Sequence, residues 1–182
     1  MEQLFLPPSK RLEKRMRALW QHSIEVAAAC QVIASNQATI SPDEALLAGP
    51  IHEIGALPIL LKAAAMPELM EDEQRLDALI DNLYPKISEA ILRKWAFPEN
   101  LITVAAEHTN LQRDSLNGPD LTDVVQVANL QSYFNTDKAL APNERDNVLA
   151  FAKLGIDTDI SVVELDENSE EYAAALALFQ NN

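Results

Sequence analysis

Glycine is scarce, with 4 in 182 residues, and β-branched residues nowhere alternate with polar ones for long, which argues against a sheet protein. Ala, Leu, Glu and Ile dominate instead, a set that favours helices. A single cysteine, Cys30, excludes an intramolecular disulfide. Set in an apolar helical stretch, it reads as a small core residue of a reducing compartment, so the expected location is the cytoplasm. Positive charge is short too: 14 Lys and Arg against 28 Asp and Glu give a formal net charge of −14. A field of that sign repels phosphate backbones and anionic membrane faces, so neither nucleic acid nor membrane is an expected partner. The one basic stretch, "KRLEKRMR" at Lys10–Arg17, reads as a solvated helix face. Long hydrophobic runs are missing as well. The most apolar segment, "IGALPILLKAAAM", is broken by Pro58 and Lys62, well short of the roughly 20 residues that span a bilayer. No basic start followed by an apolar run marks a leader. The 48% hydrophobic content is sufficient for one globular domain with its own core.

What is there reads as an all-α, compact multi-helix bundle. From about Ser9 to Ser35 the positions Met16, Leu19, Trp20, Ser23, Val26, Ala27, Cys30 and Ile33 recur at steps of three and four, describing one long amphipathic helix. "SPDE", Ser41 to Glu44, is a capping box with Pro42 at the first helical position. The helix it opens runs through "EALLAGPIHEI" to Gly55, a candidate left-handed terminator, and Pro58 begins another helix to about Ala65. Pro50, inside the first of these, removes the hydrogen bond to the Leu46 carbonyl just before His52 and is expected to kink the axis. "MPELMEDEQ" reads as a solvated acidic connection. "YPKISEAILRKWAF" carries Ile87, Ile91, Leu92 and Trp95 at helical spacing, and Pro98 opens "PENLITVAAEHTNL". "NGPD" is a turn, after which Leu121, Val124, Val125, Ala128 and Phe134 mark one side of a further helix. "NERDNVLAFAKLGI" and "SEEYAAALALF" supply two short helices around the acidic "VVELDENSEE".

Chemistry rests on three histidines, each in a predicted helix. His22 lies beside the apolar stripe, either turned inward or at the core edge bonded to Glu25 or a backbone carbonyl. His52 and Glu53 point about 100° apart on a helix, which suits two neighbours reaching around one ion and equally suits one buried and one exposed residue. His108, in a last turn, is placed to face the helix dipole as a cation.

The order of "LWQHSIEVAAACQVIA", "DEALLAGPIHEIGAL", "AILRKWAFPENLITVAAEHTNL" and "VVQVANL" resembles the HD superfamily. Its metal-dependent phosphohydrolases carry a histidine on one helix, a His-Asp pair on a later one and a final aspartate on another. More closely it resembles the HD-related output domain, HDOD, of bacterial signalling proteins. The likeness runs from about Leu19 to Ile156, making residues 1–18 a lead-in, 19–156 the HD-like core, and 157–182 an acidic loop and helix packed on that core. It implies that His22 holds the first ligand position, His52 and Glu53 the His-Asp doublet, and Asn129 the final aspartate, with His108 a further pocket residue.

Two of those four positions depart from the catalytic pattern. Asn129 lacks a formal charge, and Glu53 reaches a methylene further than aspartate. Lys62, Arg93 and Lys94 are the cations expected nearest the motif, all readable as solvated. The resemblance therefore implies no catalytic residues and no cofactor, but a non-catalytic signal-transduction module with a degenerate metal site, acting on a protein partner. The alternative is a phosphohydrolase using Mn, Fe or Mg on a nucleotide or cyclic dinucleotide. The family domain normally has a further helical segment ahead of the matched region, which implies an exposed surface that Leu4, Phe5 and Leu6 cover or use to pair with a second chain as a homodimer.

Overall fold

A computed structural model describes residues 9–134, 136–161 and 166–180. The described residues form helices and contain no strand: α1 (Lys10–Ser35), α2 (Pro42–His52), α3 (Ala56–Ala63), α4 (Pro67–Glu71), α5 (Glu73–Lys94), α6 (Glu99–Glu107), α7 (Leu121–Ser132), α8 (Pro142–Arg145), α9 (Leu149–Leu154) and α10 (Asp166–Gln180). Leu4, Phe5 and Leu6 lie outside the described residues, as does part of the acidic segment, 162–165.

Ser9 caps α1, its hydroxyl accepting from the Leu12 amide at 3.2 Å. The first half of the helix has the expected stripe, with Leu12 buried. In the second half burial extends almost all round, including Ser23, Ile24, Val26–Cys30 and Val32–Ala34, because α2, α7 and α10 all pack on it. Trp20 departs from the predicted stripe. It is 51% exposed and meets Phe179 of α10 edge-on, ring centroids 6.3 Å apart.

The contact of α2 on α1 is backbone-close. A Cβ on Gly49 would lie 2.2 Å from the Ala27 Cα. Gly55 does not terminate α2 by a left-handed turn: its φ of −66° is right-handed, and α2 ends earlier, at His52, with Glu53 as the capping residue. Glycine is needed there for space, since a Cβ would meet the Tyr84 carbonyl at 2.4 Å. Pro42–Ala63 has the length and the mean hydropathy, 1.3, of a bilayer span, but half of it is buried and residues 53–55 break it into two core helices.

The stretch read as a solvated acidic connection is instead α4 and the start of α5. Leu69 and Met70 are buried with Leu12, Leu60, Ala63 and Leu76 in a small second core, which is why the acidic side chains around them do not keep the segment extended. α5 continues through Pro85, starting eleven residues before Tyr84, and Trp95 lies past its end, 58% exposed. The basic face of α1 is not simply solvated either: Arg11 pairs with Glu73 at 2.9 Å and Arg15 with Asp77, tying α1 to α5.

α7 is fixed by a capping box between Asp120 and Asp123, and it is buried from Leu121 through Ala128 rather than along one side. It ends at Ser132, leaving Phe134 beyond it under the Arg145 guanidinium, 4.8 Å from the ring centroid. The "NERDNVLAFAKLGI" stretch forms two helices, α8 and α9, the latter closed by Gly155 at φ 68°.

Gly49→Ala is expected to lower stability by about 3 kcal/mol, since backbone on α1 cannot yield to the added methyl. Urea unfolding checks this, and an unchanged midpoint would show that α2 does not sit on Ala27.

Candidate metal centre

Three of the sequence-selected residues converge where the main core meets the second one. His22 comes from the middle of α1, His52 is the last residue of α2, and Glu53 caps that helix. Their ligand atoms lie within 4.8 Å of one another. One Glu53 oxygen is 3.8 Å from His22 Nε2 and the other 3.8 Å from His52 Nε2. Adjacent residues reach one point because Glu53 has left helical geometry, with φ −111° and ψ 19°.

His52 is wholly buried, and its tautomer is set by α2 itself. The Glu53 N–H turns back to the Ile51 carbonyl, so Gly49 O does not receive the amide four residues on. His52 Nδ1 donates to it instead, at 2.5 Å. The proton therefore sits on Nδ1, and Nε2 presents a lone pair. That Nε2 is buried without a hydrogen-bond partner, and so is Asn129 Oδ1 on α7.

His22 does not bond Glu25, which takes a hydrogen bond from Gln21 at 2.7 Å. Its ring stacks on Tyr133, centroids 5.1 Å apart at 15°, with the Ser132 and Tyr133 hydroxyls each 3.4 Å from a ring nitrogen. Asn129 belongs to the same end of α7, its carbonyl accepting from the Ser132 hydroxyl at 2.7 Å.

His108 is not the dipole-facing cation that its position suggested. It is buried at the end of α6, Nδ1 donating to the Val104 carbonyl at 2.8 Å and Nε2 accepting from the Tyr84 hydroxyl at 2.9 Å. Burial, and next the proximity of His52, push its pKa down to about 3. An ammonium-like charge there would be desolvated with no carboxylate beside it. His108 meets His52 edge-on, centroids 5.0 Å apart, and His52 is 5.5 Å from His22, so the three imidazoles form one row. Burial, then the His22 charge, lowers His52 to about 3 as well. Burial raises the Glu53 carboxyl, against the pull of His22 and Lys138 and with the push of Asp81.

A cleft of about 410 Å³ opens over His22 and Glu53, and its cations are not the expected ones. Arg11, Lys14, Arg15 and Lys138 line it, while Lys62 faces an apolar groove beside α5 and Arg93 is bound to Glu89 and Glu99. Lys94 is exposed on the last turn of α5. Tyr133, Ser132, Tyr84, Lys138 and Asp81 were not selected from sequence; only the "QSYF" that follows Asn129 by one turn carried a signal, as hydroxyls at helical spacing from a candidate ligand. Two imidazoles and a carboxylate, with His52 Nε2 buried and unpartnered, are the donor chemistry that a divalent cation takes. His22, His52 and Glu53 thus fit such an ion.

Unfolding lets His52 and His108 return from about 3 toward 6.5 and so takes up protons between these values. The stability they provide is complete above pH 6.5 and is lost as pH falls, by up to about 1.4 kcal/mol per imidazole per unit. The raised Glu53 has the opposite sign, helping the fold below the ordinary carboxylate range, and offsets part of the loss at the acid end. Urea midpoints measured from pH 7.5 to 4.5 are expected to fall; a level profile would show solvated imidazoles.

None of the curated proteins compared matches the sequence. Among solved structures, a protein from Shewanella amazonensis SB2B, proposed to be a metal-dependent phosphohydrolase, superposes with a TM-score of 0.78 at 24% identity over 97% of this chain and 64% of its own. The MmoQ response regulator from Methylococcus capsulatus str. Bath gives 0.53 at 23% identity over 82% of this chain and 65% of its own. This chain thus spans just under two thirds of either, and at such identities the likeness is one of fold: an HD-like helical architecture. The family model of the HDOD domain matches residues 2–111, more than half of the sequence, and the protein belongs to the HDOD family.

Proposed function

We propose that this chain is a cytoplasmic signal-transduction module that acts through a protein partner and does not hydrolyse phosphoesters. The observation that carries the reading is the charge of the centre. Of the four positions that correspond to the HD pattern, only Glu53 is a carboxylate; Asn129 supplies a neutral amide, and burial disfavours the charged form of Glu53 itself. A hard cation is held largely by carboxylate charge, so these positions bind one weakly.

His22, His52 and Glu53 would hold Mn, Fe or Mg. Such an ion, when bound, lowers the pKa of water and polarises a phosphoryl oxygen. This chain's other groups add little to that chemistry. The hydroxyls of Tyr84 and Tyr133 are pushed up, burial first, and cannot serve as bases near neutrality. Arg11 and Arg15 are engaged by Glu73 and Asp77, leaving Lys14 and Lys138 to meet developing negative charge. The centre is better suited to report its own state through α1, α2 and α7 than to turn over a substrate.

The second reading, a phosphohydrolase acting on a nucleotide or cyclic dinucleotide, is favoured by the convergence of His22, His52 and Glu53 alone. Metal content by plasma mass spectrometry, followed by assay of a nucleotide and cyclic-dinucleotide panel with Mn²⁺, Fe²⁺ or Mg²⁺ added, separates the two. The expected result is product release no faster than that of His52→Ala. Turnover abolished by that substitution would establish the hydrolase instead.

A further inference from the structure

The ion pairs between α1 and α5 form a ladder. Arg11 meets Glu73 and Arg15 meets Asp77, each pair 62 residues apart, so the two helices advance together by one turn per rung. The next acidic residue at that spacing on α5 is Asp81, and the same offset on α1 is Leu19, which carries no charge. Asp81 accordingly has no ion pair or hydrogen bond among the described residues. It lines the same cleft as His22, Glu53, Tyr133 and Lys138. Its charge is felt there, adding to the burial that raises Glu53, Tyr84 and Tyr133.

An exposed acid beside a cleft is not in itself a ligand. The second observation lies behind Glu53, where His52 Nε2 is wholly buried, lacks any hydrogen-bond partner and is 3.8 Å from the Glu53 carboxylate. A buried acceptor left without a donor is costly, by about 1–3 kcal/mol, unless something electrophilic occupies the position. We propose that Asp81 supplies the second carboxylate of a divalent-cation site built on His22, His52 and Glu53, making good from α5 the charge that Asn129 lacks on α7. The inference rests on the reading of this centre as a cation site in a signalling module and gives that site a regulatory consequence. A cation held by α1, α2 and α5 together draws the walls of the cleft into one unit, and its loss leaves α5 tied to α1 by the small Leu12 and Leu76 cluster and by two ion pairs, the latter worth little.

Mn²⁺ titration of the full chain, followed by calorimetry and by the rise in melting temperature, tests this. Wild type is expected to bind one ion, His52→Ala none, and Asp81→Asn at least about tenfold more weakly, in the range seen when a supporting carboxylate is lost. Glu68→Gln, an exposed change on α4, controls for net charge. Asn129→Asp placed in the Asp81→Asn background is expected to recover the affinity, which a merely unfolded variant cannot do. Equal binding by wild type and Asp81→Asn would overturn the role of Asp81 while leaving the centre intact. No binding by wild type would remove the cation site itself, and the proposal with it.

Discussion

The close approach of α2 to α1 at Gly49 and Ala27 is the constraint on which the rest of the centre depends. A residue without a Cβ lets the two backbones come within a distance that no side chain permits. Three residues on, the same contact carries His52 into the core, where it faces His22 on the neighbouring helix. Gly49 acts a second time through its carbonyl, which takes the Nδ1 proton and leaves the Nε2 lone pair toward Glu53. Space and tautomer are thus set by one residue.

Around that contact the polar groups divide into those that are satisfied and those that are not. His108 is fully bonded, and Gln126 reaches its carbonyl at 3.0 Å, so the end of α6 is sealed against water and serves as a wall for His52. His52 Nε2 and Asn129 Oδ1 have no such partners. Burying an acceptor without a donor opposes folding, and these two atoms share the lack of a partner with Gln31 Oε1, Gln126 Oε1 and Arg145 Nε among the described residues; of the five, His52 Nε2 lies 3.8 Å from the Glu53 carboxylate. Neutral imidazoles are what a cation needs from its nitrogen donors.

The cleft has two sorts of wall. On one side α1, α2 and α7 are packed through the main core. On the other, α5 is joined to α1 by the small Leu12 and Leu76 cluster and by the arginine ladder. The second half of that wall is anchored elsewhere: Leu92 of α5 belongs to the main core, and buried Tyr84 and Ser88 bond His108 and the Gly55 amide.

Much of this was legible in the residues. Helical spacing marked α1, α6 and α7, the Ser41 capping box marked the start of α2, and the family resemblance selected His22, His52 and Glu53, which the fold brings together. Where reading failed, long-range packing was the cause. Acidic residues around Leu69 and Met70 suggested a solvated connection, but a small core forms under them. Gly55 suggested a turn and proved to be a gap for Tyr84, a residue 29 positions away. His108 suggested a cation because its own helix end would favour one, whereas three other helices bury it. By itself, then, the sequence determined the helices, most of their starts, and the residue types from which a metal site could be assembled, since spacing and caps act within a turn or two of chain. Only the tertiary structure decided which of those side chains lose water and which acids find a partner, because desolvation and ion pairing depend on neighbours supplied by other helices.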